Sequence, residues 1–162
     1  MLPDEILLSL DRQLPCRELQ LRRLGSLAGD FSPPILVLHG VAATGKSLTI
    51  RSILEAIDTP SAIVRSQECI TTRHLLERTA TLVKDSLEAS DGVEEGGSGI
   101  GRCESISAFV VELQQLLEGK GQFILVFDGI DRQREAAPTL LPALARLSEI
   151  VRLSFHIPIH PI

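Results

Sequence analysis

Residues 40 to 47 read Gly40-Val41-Ala42-Ala43-Thr44-Gly45-Lys46-Ser47, which satisfies the spacing G-x-x-x-x-G-K-S/T in full. A run of this kind suits a chain of phosphates. Its glycines let the backbone wrap closely around the group, successive N–H groups point inward as an anion nest, and a helix starting near Lys46 adds its positive end. Lys46 is the candidate to neutralise phosphate oxygens, and Ser47 the candidate ligand for a Mg2+ that bridges them. The candidate cofactor-binding set is therefore Gly40, Val41, Ala42, Ala43, Thr44, Gly45, Lys46, Ser47 and Leu48.

An acid at the end of another strand should complete the metal site. Asp128, directly after Phe123-Ile124-Leu125-Val126-Phe127, stands in that position, so it joins the cofactor set, and Ser47 and Asp128 are the candidate metal ligands. An Asp there also suits a helix cap. Many hydrolysing enzymes place a water-activating Glu immediately after this Asp, whereas this chain has Gly129, which argues against hydrolysis. Asp131 either approaches the metal or caps the next helix. The loop by itself is shared by kinases, GTPases, motor ATPases and non-hydrolysing ATP switches.

These residues need strands to end at one place and helices to start there. Ile35-Leu36-Val37-Leu38 and residues 123–127 are continuous apolar runs, the pattern of strands buried on both faces, and Ala62-Ile63-Val64 is a shorter third. Helices are expected over residues 4–29 with a break at Pro15, through Ile50, Ile53, Leu54 and Ile57, over 72–87, through Ile106 to Leu117, and around Leu140, Leu141, Leu144 and Leu147. A last strand is expected over Ile150 to Phe155. The tail Ile157-Pro158-Ile159-His160-Pro161-Ile162 should be an extended terminus or an edge, because proline cannot donate to a ladder. Ser90 to Gly101 has the acidic, glycine-rich composition of a surface loop. Alternating strands and helices imply an α/β fold with a mainly parallel sheet. The expected organisation is a helical lead-in over 1–30, a nucleotide-binding core over 31–156 and a Pro-rich tail over 157–162.

Composition narrows the function classes. The 162 residues are 44% hydrophobic and 23% charged, which fits one compact domain. A net charge of −5 argues against stand-alone nucleic-acid binding, and five Phe with no Trp or Tyr leave few platforms for stacking bases. Cys16, Cys69 and Cys103 form no C-x-x-C pair, so neither zinc nor a disulfide framework is expected. With no basic, apolar leader and no long apolar run, a soluble chain with no membrane partner is expected.

Four stretches then agree with one family. Cys16-Arg17-Glu18 with Gln20, Ser32-Pro33-Pro34 through Ser47, Gln67-Glu68-Cys69 with Leu75-Leu76-Glu77, and Thr139-Leu140-Leu141-Pro142 with Arg146-Leu147 together resemble the AAA+ ATPase domain of origin recognition complex subunits. The first resembles the family's N-terminal box near the adenine, the second its Walker A region. The resemblance spans about residues 15–150 and implies a P-loop NTPase core, a three-layer α/β/α arrangement with a mainly parallel sheet, incomplete at its C-terminus. It implies a sheet order of 5-1-4-3-2, a sensor polar residue for which Ser154 is the nearby candidate, and further elements (arginine finger, fifth strand, lid, winged helix) beyond residue 162. It also implies ATP and Mg2+ as cofactors and the other subunits of the complex as ring neighbours. DNA would be contacted only through the assembled complex, in the nucleus, during initiation of replication. The alternatives are a small P-loop phosphotransferase, such as a nucleotide or metabolite kinase, and a degenerate P-loop scaffold.

Overall fold

The computed structural model describes residues 3–27, 33, 35–57, 59–91, 103–132, 139–150 and 153–159. Most of the expected loop from Ser90 to Gly101, from residue 92 on, lies outside the described residues. Two helices, α1 (Asp4–Gln13) and α2 (Glu18–Leu27), precede β1 (Ile35–His39). Pro15 separates the helices as expected, and Cys16 takes a left-handed φ of 65° in the turn between them. After α3 (Lys46–Ala56) come β2 (Ser61–Arg65), α4 (Thr72–Asp91), α5 (Ile106–Leu117), β3 (Phe123–Asp128), α6 (Leu140–Ile150) and β4 (Leu153–Ile159). The start of α5 is fixed by Ser105, whose Oγ accepts a hydrogen bond from the Ala108 N–H at 3.1 Å.

All pairings are parallel and the strand order is β1-β4-β3-β2, the order the family resemblance implies for the strands present. β3 is the centre of the packing because its side chains alternate between two apolar layers. Phe123, Leu125 and Phe127 enter one cluster with α4, α5 and α6. Ile124 and Val126 enter another, with Ile50 and Leu54 of α3. Outside α3, Leu10, Leu14 and Leu21 of the N-terminal region close over Ile53. The result is three layers, α/β/α, with the N-terminal helices seated on the layer that carries the phosphate-loop helix.

The last strand corrects two expectations. Ile150 closes α6, and the strand begins at Leu153 and continues through Pro158 to Ile159, between β1 and β3. Residues 157–159 are thus part of this strand, extended and laddered to β1 on one side only, as the prolines led one to expect of an edge. The proline is tolerated because pairing with β3 ends at Val126↔His156, while Pro158 stands opposite Leu38 of β1 alone. The same register moves Ser154 away from the sensor position. It pairs with Ile124, four residues before Asp128, or about 13 Å from the carboxyl rim of the sheet at ~3.3 Å per residue.

Two buried cysteines follow from the packing. Burial pushes the Cys69 thiol up, an effect Arg78 opposes and Glu68 adds to, and burial likewise pushes Cys103 up, with Glu112 and Glu77 adding. Both remain neutral and shielded near pH 8, whereas Cys16 is exposed. Iodoacetamide should therefore modify Cys16 in the native chain and reach Cys69 and Cys103 only after unfolding, as read by peptide mass mapping. Phe109, fully buried in the larger cluster, should cost roughly 3–5 kcal/mol on truncation to Ala, measured by urea unfolding.

Candidate phosphate site at the carboxyl rim of the sheet

The loop between β1 and α3 is held in the shape a phosphate cradle requires. Gly40 and Gly45 have φ of 151° and 78°, and Ala43 shares the left-handed region at 60°. Gly45 is the residue before α3, so no side chain caps the first turn of that helix, and the turn carries no acidic residue. Its N–H groups are left without a side-chain acceptor, which is the electrostatic condition for holding an anion. Thr49 steadies the turn from behind, its Oγ1 donating to the Gly45 carbonyl at 2.9 Å.

Lys46 folds back over the loop. Its Nζ donates to the carbonyl oxygens of Gly40 at 2.8 Å and Val41 at 2.7 Å, and lies 3.4 Å from Thr44 Oγ1. The ammonium is thus parked on neutral acceptors, which anionic oxygens outcompete. Thr44 Oγ1 donates to the Val41 carbonyl at 2.9 Å, while Val41 and Leu48 present exposed side chains at the rim. Arg17, at the turn before α2, donates from Nη2 to the Thr44 carbonyl. A Cβ added to Gly45 would stand 3.1 Å from that same Nη2. The N-terminal helices therefore do more than pad α3, since they bring a second cation against the loop.

Ser47 and Asp128, 81 residues apart, meet directly: Ser47 Oγ donates to Asp128 Oδ1 at 2.9 Å. Asp131 falls in a 3-10 turn, Ile130–Arg132, that begins directly after Gly129, and Asp128 reaches the loop through Ser47. Among the described residues no group of three or more His, Cys, Asp or Glu side chains is placed to hold a metal by itself. A hydroxyl and one carboxylate suit Mg2+, which keeps waters and takes its remaining oxygens from phosphates.

One contact at this rim escaped the sequence reading. Gly129 has φ of 68°, and a Cβ there would stand 2.8 Å from Gln67 Nε2, 3.3 Å from its Cγ and 3.4 Å from its Cδ. The position that carries an acid in many hydrolysing enzymes is therefore committed to glycine by its backbone, and the exposed Gln67 side chain lies against it. The glycine after Asp128 was visible in the sequence; the neighbour that fills its space was not.

A parallel sheet ending in this loop and in the strand-terminal Asp128 is the arrangement of a P-loop ATPase domain. A family model described as an AAA ATPase domain matches residues 13–156, and the chain belongs to that family. Within it, the chain is similar to origin recognition complex subunit 5 of Homo sapiens, with 31% identity over 148 residues, covering 87% of this chain and 33% of the relative. Similarity to origin recognition complex subunit 5 of Drosophila melanogaster is 30% over 157 residues, covering 90% of this chain and 32% of the relative. The chain thus spans about a third of the length of these curated relatives. A solved structure described as Drosophila ORC bound to DNA superposes with a TM-score of 0.71 at 28% identity, covering 98% of this chain and 40% of that one. Of the three readings the sequence left open, these similarities support the first, an origin recognition complex subunit.

Gly45→Ala forces a Cβ into the left-handed region and towards Arg17, so it should cost about 1–2 kcal/mol in urea unfolding. Gly121→Ala, where nothing lies within 4 Å of an added Cβ, should stay within about 0.5 kcal/mol of the parent.

Proposed function

We propose that this chain is the nucleotide-binding part of an origin recognition complex subunit of the subunit 5 type, and that it holds ATP with Mg2+ through residues 40–48 and Asp128. The observation that carries the reading is the hydrogen bond from Ser47 to Asp128, beside a helix start that no side chain caps. Backbone N–H groups from Gly40 to Ser47 would receive the phosphates. Lys46 would exchange the carbonyls of Gly40 and Val41 for phosphate oxygens, and Ser47 and Asp128 would hold the metal that offsets the remaining charge. In this reading the partners are the neighbouring AAA+ subunits, DNA is met through the assembled complex, and the compartment is the nucleus.

Water activation lacks its usual acid in this site. Gly129 has no side chain to accept a proton, and the adjacent Gln67 carboxamide cannot serve as a general base. Binding without turnover is the expected behaviour of the chain by itself.

Equilibrium titration with a fluorescent ATP analogue in Mg2+ should show saturable binding, weakened at least tenfold in Lys46→Ala, which corresponds to about 1.4 kcal/mol. Unchanged binding in that variant would remove the loop from the account. Phosphate release should stay at background; release that vanishes in Asp128→Asn would show the site to be hydrolytic. Co-purification of the tagged chain with related ATPases from nuclear extract tests the assembly half of the proposal, and recovery as a free monomer with no such partner would contradict it.

A further inference from the structure

The outer edge of the sheet, one strand beyond Asp128, carries an arrangement that the nucleotide reading does not use. β2 is the end strand there, and among the described residues it is laddered on one side only, to β3. Its outer row is engaged at its two ends, where the Ser61 carbonyl accepts from Ser86 Oγ at 2.9 Å and the Arg65 carbonyl from Cys69 Sγ at 3.9 Å, and it stays open at Ile63 between them, where another strand can pair. Beside it lies a cleft of about 320 Å3 lined by Arg51, Ile63, Arg65, Glu68, Arg78 and Leu82.

The charge of this cleft runs against the charge of the chain. Three guanidinium groups face one carboxylate in a protein of net charge −5. Arg65 is paired with Glu68 at 3.2 Å, but neither Arg51 nor Arg78 forms a hydrogen bond or ion pair with another described residue. Elsewhere the helix arginines Arg22 and Arg73 are each matched by a Glu four residues away, at 2.9 Å. The three cations also come from three elements. Arg51 is on α3, which packs on one face of the sheet, Arg78 is on α4, which packs on the other, and Arg65 ends the strand between them.

The geometry points to an extended acidic segment of a partner protein as the occupant. A strand added to β2 would pair with the backbone groups still open around Ile63 and would direct consecutive side chains to opposite faces, toward α3 and toward α4. Two adjacent carboxylates would then meet Arg51 and Arg78, the guanidinium forks being suited to bidentate pairing. Ile63 and Leu82 give the cleft an apolar floor for a flanking aliphatic side chain. A nucleic-acid backbone has no group for that floor, and no aromatic residue lines the cleft to stack a base.

The test is fluorescence anisotropy at low salt with a labelled octapeptide in which Glu-Glu pairs alternate with Val. The intact chain should bind it saturably. Affinity should fall at least tenfold in the Arg51→Glu, Arg78→Glu double variant, and equally when the intact chain meets a peptide with Gln in place of Glu or with a central Pro. The Gln and Pro peptides read the proposal on the unmutated chain, so a misfolded variant does not obscure it. Binding of the ATP analogue should persist in the double variant, since neither Arg51 nor Arg78 is among the residues that would receive the phosphates or the metal. Failure of the peptide to bind, or binding unchanged by all these substitutions, overturns the inference. So does a short DNA duplex that binds more tightly than the peptide and is lost in the same double variant.

Discussion

The hydrogen bond between Ser47 and Asp128 is the constraint to which the rest of the molecule answers. It joins the first turn of α3 to the end of β3, and β4 lies between β3 and the strand that feeds the loop. The bond can form only if β1, β4 and β3 are parallel and in a register that brings their carboxyl ends to one rim. That register is kept by burial on both faces. A shift of β3 by one residue would exchange Phe123, Leu125 and Phe127 with Ile124 and Val126 between two filled clusters of different shape. Apolar packing thus sets the position of two polar atoms that lie outside it.

Electrostatics at the rim favour an anion. The start of α3 has no capping side chain and no acid in its first turn, while Lys46 and Arg17 both bring positive charge to the loop, each held by a backbone carbonyl. The neighbouring strand end offers one carboxylate, Asp128, and then a glycine whose missing side chain is replaced in space by a neutral carboxamide. Holding a charge and activating water are separate demands, and in the reading proposed above the local chemistry serves the first.

The sequence was most legible where local pattern and tertiary environment agree. Residues 123–127 read as a doubly buried strand and are one, and the apolar stripe from Ile106 to Leu117 coincides with α5. That residues 40–48 and Asp128 would come together was legible because their spacing follows a pattern that allows few variants. The last strand was displaced because proline reads as a strand terminator, although a strand can carry it where one of its two ladders has already ended. That displacement carried Ser154 with it. The contacts of Arg17 with the loop and of Gln67 with Gly129 depend on helices and turns from distant parts of the chain, so spacing could not reveal them. The left-handed glycine is the only local trace that Gln67 leaves.

The central claim is that the loop from Gly40 to Leu48, with Asp128, is a cradle occupied by its own lysine until a nucleotide replaces that contact. The most direct measurement is the backbone amide spectrum of the isotopically labelled chain, recorded before and after addition of a non-hydrolysable ATP analogue with Mg2+. The account predicts that the largest shifts fall on the amides of Gly40 to Leu48 and Asp128, with the outer strand β2 little changed. Shifts absent from the loop, or centred on another part of the chain, would contradict it.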